Sequence, residues 1–296
     1  SAPESSDGMI ATVMRWQELA RVWIGHWLSR PFHHLFNLMP GVEIGLSATV
    51  VTRLPLTHAP LAGRRAVHVS DLHLDRYRPR HRALIRAVAD LKPDWIFITG
   101  DLVNVRDGLP HLLRFLTELR RLAPVYVTLG NHDHYSGIRV DEFAEQFDRR
   151  KVTLLLNQVT FIGVPAGELA IVGLDDPSLH RADLRCMPSP QPGRFILVLA
   201  HAPNILDQLT SAHHTDLTLC GHSHAGQWRI PGIPTFWLPP GCHGRTNGMY
   251  EKGGHRLYVN RGIGWSVLDG LVRMDLSRGI YPRQRMRLDL YVEARF

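Results

Sequence analysis

Trp95-Ile96-Phe97-Ile98-Thr99-Gly100-Asp101 is the stretch on which the fold turns. Five apolar or β-branched residues in a row are a strand length, and the Gly-Asp that follows breaks the run with a turn and a carboxylate. The same shape occurs upstream, where Val67-His68-Val69-Ser70 leads into Asp71-Leu72-His73. It occurs again downstream, where Val125-Tyr126-Val127-Thr128-Leu129 leads into Gly130-Asn131-His132-Asp133. Between these runs lie Arg80 to Leu91 and Leu109 to Leu122, with apolar residues three or four apart: Leu84, Val88 and Leu91, then Leu112, Phe115, Leu116 and Leu119. Pro93 and Pro124 mark the return to the next strand. The order β-α-β-α-β predicts a parallel sheet covered by helices. Ligands of such sheets gather at the carboxyl ends of the strands, which is where each motif falls.

The second half carries two more strand-like runs with histidines at their ends. Arg194 to Ala200 ends in His201, and Asp216 to Cys220 ends in Gly221-His222-Ser223-His224. Pro- and Gly-punctuated strands are then expected at Thr235 to Leu238, Arg256 to Val259, Leu271 to Met274 and Arg285 to Val292. The whole reads as an α/β fold in which two sheets pack together with helices outside, a four-layer α/β/β/α sandwich.

Asp71, His73, Asp101, Asn131, His201, His222 and His224 supply oxygen and nitrogen ligands and no thiolate. That set suffices for two divalent cations sharing one carboxylate and is unlike a structural cysteine zinc site. Two carboxylates neutralise only half of the four positive charges, so such a centre attracts an anionic phosphate group. A single Gly-Asn-His or His-x-His is a weak signal; five motifs in order, each at a strand end, are a strong one.

With these motifs the chain resembles the calcineurin-like metallophosphoesterases, from about Arg64 to Tyr291. Cys220-Gly221-His222-Ser223-His224-Ala225-Gly226-Gln227 and Leu257-Tyr258-Val259-Asn260-Arg261-Gly262-Ile263-Gly264 are similar to a narrower, membrane-associated bacterial branch. That branch includes phosphodiesterases and UDP-2,3-diacylglucosamine pyrophosphatases of lipid A synthesis. The resemblance implies that one metal takes Asp71, His73 and His224, the other takes Asn131, His201 and His222, and Asp101 bridges them. It implies ions about 3.5–4 Å apart that activate a water for in-line attack on phosphorus. It also makes His132 the general acid for the leaving oxygen, with Asp133 either orienting it or standing as a solvated loop carboxylate. Mixed imidazole, carboxylate and amide ligation suits manganese, with iron or zinc as alternatives. Two departures from the branch are visible: Asn104 stands where many relatives carry a second Asp, and Trp265 to Pro282 lacks the usual proline-rich ending.

The chain has 296 residues, 44% hydrophobic, enough for one large core. Residues 1–8 read as a disordered leader, 9–45 as an amphipathic segment and 46–296 as the metallophosphoesterase domain. From Met9 to Leu28 the residues Val13, Trp16, Ala20, Trp23 and Trp27 recur at helical spacing, interrupted by Arg15, Glu18 and Arg21. Each central charge costs about 2.5–3.5 kcal/mol to insert, which argues against a membrane span. The segment suits either a helix lying in the lipid interface or one packed on the protein's own core. Cys186, Cys220 and Cys242 form no metal or disulfide pattern, and a reducing, cytoplasmic setting follows as the default.

The net charge of +7 suits an anionic lipid surface or a polyphosphate substrate, whereas no nucleic-acid recognition module accompanies it. Arg283, Arg285 and Arg287 alternate with apolar or neutral residues, the pattern of a half-buried strand with a basic face. The expected setting is therefore peripheral contact with the cytoplasmic face of the inner membrane. Three functions compete: a UDP-2,3-diacylglucosamine hydrolase, a broad phosphodiesterase acting on nucleotide, phospholipid or cell-wall phosphates, and a metal-free binding scaffold. The last would be expected to lose ligands that are all present here.

Overall fold

The computed structural model describes residues 49–54, 56, 58–225, 238–263 and 286–293, with 49, 50, 59 and 286–293 described through their backbone. The expectations for 1–8 and 9–45, the Leu271–Met274 strand, the 265–282 ending, the basic face of 283–287 and all but Leu238 of the Thr235–Leu238 strand lie outside the described residues or their side chains. Among the described residues no helix is long and apolar enough to cross a membrane.

The first sheet contains β1 (Thr49–Arg53), β2 (Arg65–Val69), β3 (Trp95–Thr99), β4 (Val125–Thr128), β5 (Thr153–Leu154) and, late in the chain, β12 (Met286–Glu293). Their spatial order is β1-β12-β2-β3-β4-β5. Strands β2 to β5 run parallel, joined by the helices α1 (Pro79–Leu91), α2 (Leu109–Arg120) and α4 (Val140–Asp148); a one-turn helix, α3 (Asn131–Tyr135), follows β4 directly. Strand β12 enters antiparallel beside β2 and parallel to β1, so the sheet is mixed at that edge. The second sheet has the order β10-β11-β9-β8-β7-β6, built from β6 (Gln158–Val164), β7 (Gly167–Gly173), β8 (Arg194–Leu199), β9 (Leu217–Cys220), β10 (Gly248–Lys252) and β11 (His255–Val259). Its four central strands are parallel and its two edge strands antiparallel.

Period-two alternation sorts the apolar side chains into layers. On β3, Ile96 and Ile98 face α1, α2 and α4, while Trp95 and Phe97 face the second sheet. On β8, Phe195, Leu197 and Leu199 close the inter-sheet core, and Ile196 and Val198 point outward under the short helix α5 (Ile205–Gln208). Each fully buried Leu, Ile or Phe in these layers contributes roughly 1.5–3 kcal/mol. The four-layer order is therefore present, and among the described residues the outer layer of the second sheet is made of α5 and the segment between β7 and β8, whose Leu184, Cys186 and Met187 pack on the same face. Helix α1 begins on Pro79, whose missing N–H costs nothing at that position, and ends at Lys92 in the left-handed conformation before Pro93.

Candidate metal centre

The loops that leave β2, β3, β8 and β9 converge at one end of the sandwich with the amino end of α3. Their conformation is unusual. Asp71, His73, Asp101, His222 and His224 all have left-handed backbones, with φ of 53°, 41°, 52°, 69° and 46°. Non-glycine residues adopt this region at a cost of about 1–3 kcal/mol each, and such strain concentrates at functional sites. Gly100 makes the approach of the loops feasible: with φ of 79°, a Cβ there would come within 2.6 Å of both Gly130 N and His201 Nδ1. A Cβ on Gly221 would likewise fall on Ser70 Oγ and Asp71 Oδ2.

Two clusters result, and they share one carboxylate. Asp71, His73, Asp101 and His224 form the first; Asp101, His201 and His222 form the second; within each, the candidate ligand atoms lie within 4.8 Å of one another. His73 Nε2 stands 3.1 Å from His224 Nε2 and 3.6 Å from Asp101 Oδ2. His201 Nε2 stands 3.0 Å from His222 Nδ1, 3.1 Å from Asn131 Oδ1 and 3.3 Å from Asp101 Oδ1. All seven ligand candidates therefore meet at this end, Asn131 beside the second cluster.

The tautomers of three imidazoles are set from behind. His201 Nδ1 donates to Thr99 O at 2.8 Å and His222 Nε2 to Pro240 O at 2.7 Å. His73 Nδ1 lies 2.7 Å from Asn104 Oδ1. A carbonyl oxygen only accepts, so each of these nitrogens carries a proton and the opposite nitrogen is the one available to hold a metal. Acceptor atoms of His222, Asn131 and Asp101 then surround His201 Nε2 at about 3 Å. The arrangement needs a positive charge among them, a proton on His201 in the bare protein or a metal cation in its place. The donor set fits divalent metal ions.

Electrostatics keep four of the neighbouring rings neutral and favour a proton on His201 in the bare protein. Burial pushes the Asp71 carboxyl up to about 7, opposed by the nearby His201 imidazole and reinforced by Asp101. Burial would raise Asp101 as well, yet His201 and His132 hold it well below the usual carboxylate range. Burial would lower His201, and Asp101 holds it above its ordinary value instead. Burial drives His132 and His222 down to about 4 and lowers His73 and His224 too. At neutral pH these four rings are neutral and available as ligands or hydrogen-bond partners.

His132 sits in α3 beside the first cluster, its ring edge-on to His73 at 4.8 Å between centroids. Its backbone N–H donates to Asp101 Oδ1 at 2.9 Å. Asp133 is fully buried, and its oxygens accept backbone N–H bonds from Leu102 at 2.9 Å, Val103 at 3.1 Å and Gly130 at 2.9 Å. It is thus not a solvated loop group: it ties the loop after β3 to the turn before α3. Asn104 reaches His73 on one side and Asp75 on the other, donating from Nδ2 to Asp75 Oδ2 at 2.8 Å. Thr99, Pro240 and Asp75 carry no motif signal, because two of them act through backbone carbonyls and the third through an intervening amide. The three cysteines are free, and Cys220 is packed at the end of β9.

Comparison with known proteins agrees with this geometry. A family model described as calcineurin-like phosphoesterase matches residues 64–226. The uncharacterized metallophosphoesterase YkoQ of Bacillus subtilis is 30% identical over 211 residues, covering 67% of this chain and 75% of the relative. Phosphodiesterase YaeI of Escherichia coli is 28% identical, covering 77% of this chain and 86% of the relative. UDP-2,3-diacylglucosamine pyrophosphatase LpxG of Chlamydia muridarum is 27% identical, covering 72% of this chain and 81% of the relative. The matched span holds every residue of both clusters, and the chain belongs to the calcineurin-like phosphoesterase family, as a metal-dependent hydrolase of phosphate esters.

Proposed function

We propose that this hydrolase cleaves the pyrophosphate of UDP-2,3-diacylglucosamine, releasing UMP and 2,3-diacylglucosamine 1-phosphate. The phosphohydrolase chemistry is carried by one observation, the convergence of ligand lone pairs from both halves of the chain on a shared Asp101. The substrate reading draws support from similarity to the LpxG relatives and from the +7 charge. Asp71, His73 and His224 would hold one ion and Asn131, His201 and His222 the other, with Asp101 within reach of both. Two divalent cations, manganese in our reading, supply charge neutralisation and activation of water at neutral pH when bound.

The chain's own residues do the rest. The carbonyls of Thr99 and Pro240 fix His201 and His222, so these ligands need not reorganise during turnover. The buried Asp133 holds the loop after β3 against the turn before α3, which sets Asp101 and Asn131 in register. His132 faces the bound phosphate and donates a proton to the leaving oxygen. Alone its ring is held at about 4 by burial; the negative charge of a phosphate beside it favours the protonated form. A positioned acid of this kind is worth on the order of 10²–10⁴ in rate. In this reading the protein works at the cytoplasmic face of the inner membrane, in peripheral contact with lipid through residues 9–45.

A second reading, a broad phosphodiesterase, is favoured by the similarity to YaeI. The deciding experiment is Mn²⁺-dependent hydrolysis of UDP-2,3-diacylglucosamine beside a soluble aryl phosphodiester, with His132→Ala as contamination control. Release of UMP and the lipid sugar phosphate by wild type alone supports the first reading. Turnover of the aryl diester without the lipid substrate selects the second.

A further inference from the structure

We infer that Asp75 is a positioning residue for the metal centre, acting through Asn104 to set the tautomer of His73. The inference rests on the dinuclear reading above and concerns residues outside the ligand set. Asp75 Oδ2 accepts from Asn104 Nδ2 at 2.8 Å. Its Oδ1 accepts the backbone N–H groups of Asn104 at 2.8 Å and Val105 at 3.3 Å. The 3₁₀ turn Arg106–Gly108 closes over it so tightly that a Cβ on Gly108 would stand 3.0 Å from Asp75 Cα.

The logic is one of donors and acceptors. A carboxylate offers no proton, so the Asn104 amide must turn its NH₂ toward Asp75 and its oxygen toward His73. That oxygen, 2.7 Å from His73 Nδ1, only accepts, so the ring carries its proton on Nδ1 and keeps the Nε2 lone pair for the metal. The other tautomer-setting contacts described here end on backbone carbonyls, at Thr99 and Pro240, which cannot exchange roles. An amide can. Rotated by half a turn about its terminal bond, Asn104 would present N–H to Nδ1, and the ring proton would move to Nε2, where it blocks the ligand. Asp75 is the group that forbids this rotation.

Asp75→Asn tests the point because it keeps the shape and removes the constraint: the new amide can accept as well as donate. Mn²⁺ binding to the full chain is followed by equilibrium dialysis, and the His73 tautomer by ¹⁵N correlation spectra of the imidazoles in metal-free protein. We expect one of the two ions to weaken by about 10–100-fold, the range typical for loss of a partner behind a metal ligand, and His73 to populate the Nε2–H form. In Asp75→Asn/Asn104→Asp a carboxylate faces His73 directly and the new amide donates to it, so tautomer and affinity should both return.

Unchanged affinity and tautomer in Asp75→Asn would overturn the inference. So would equal weakening of both ions, or a loss that the double variant fails to rescue, since either would give Asp75 a purely structural role. If Asp75→Asn does not fold, the double variant carries the test: it should hold the Nδ1–H tautomer and bind as tightly as wild type, and weaker binding would overturn the inference. Wild-type protein that binds no Mn²⁺ would defeat the dinuclear reading, while the metal-free imidazole spectra would still decide the role of Asp75.

Discussion

His201 and His222 meet nitrogen to nitrogen, Nε2 to Nδ1, at 3.0 Å, while the far nitrogen of each ring is already spent on a backbone carbonyl. In their neutral forms neither ring can donate to the other without giving up that bond, and the proton that Asp101 favours on His201 is what relieves the contact in the bare protein. The pair is therefore a contact that needs a positive charge, supplied by that proton in the bare protein and by a metal ion once one is bound.

Chelation should consequently destabilise the fold. An ion that binds only the native state at 100 times its Kd stabilises by about 2.7 kcal/mol. Treatment with EDTA should lower the thermal midpoint by several degrees, and re-addition of Mn²⁺ should restore it. Differential scanning calorimetry checks this; an unchanged midpoint would count against the cation-centred geometry.

Asp101 lies within reach of both clusters, so its loss should be felt by both ions at once. For Asp101→Ala we expect hydrolysis at background level and fewer than one bound ion per chain by elemental analysis. Substantial activity in that variant would sink the two-metal mechanism.

The His132 side chain stands beside the ligands without belonging to either cluster. His132→Ala should keep its metal content and lose on the order of 10²–10⁴ in kcat. The loss should be largest for substrates with poor leaving groups, as read from a series of aryl phosphodiesters. Loss of metal instead would reassign the residue as a ligand.

Acid should unfold the protein partly through His81, which is buried in the first turn of α1 and pushed down to about 3 by burial. Its Nδ1 accepts the Arg78 backbone N–H at 2.9 Å, a bond that requires the unprotonated nitrogen. The folded value lies below the unfolded value near 6.5, so the unfolded chain binds the extra proton first. The contribution is complete above 6.5 and is lost as the pH falls from there toward 3, at roughly 1 kcal/mol per pH unit. His81→Gln retains an acceptor but no titrating ring. Denaturant unfolding from pH 6.5 to 4 should show a shallower decline for this variant than for wild type.

Much of this centre could be read from residue types and spacing, because the ligands are side chains attached to short motifs at strand ends. Strands β2, β3, β4, β8 and β9 and helices α1 and α2 were equally legible: buried parallel strands leave unbroken apolar runs, and covering helices leave a 3.6-residue period. The hairpin of β6 and β7 was not. It turns through Pro165-Ala166 rather than through the Gly or Asn that signals a tight turn, and β6 is an edge strand with little apolar alternation. Helix α3, one turn long, is too short to show a period.

Chemistry written in side-chain identity, the seven candidate ligands and the adjacent His132, is a property of the chain before it folds. Orientation is not. That Thr99 and Pro240 fix two imidazoles through their carbonyls, that five ligands sit in left-handed backbone, and that Asp133 binds three amides depend on groups every residue possesses and on approaches between segments far apart in sequence. Backbone donors and acceptors leave no mark in composition or spacing. Only tertiary packing decides which of them face a ligand, and with that which nitrogen of each histidine is free to hold a metal.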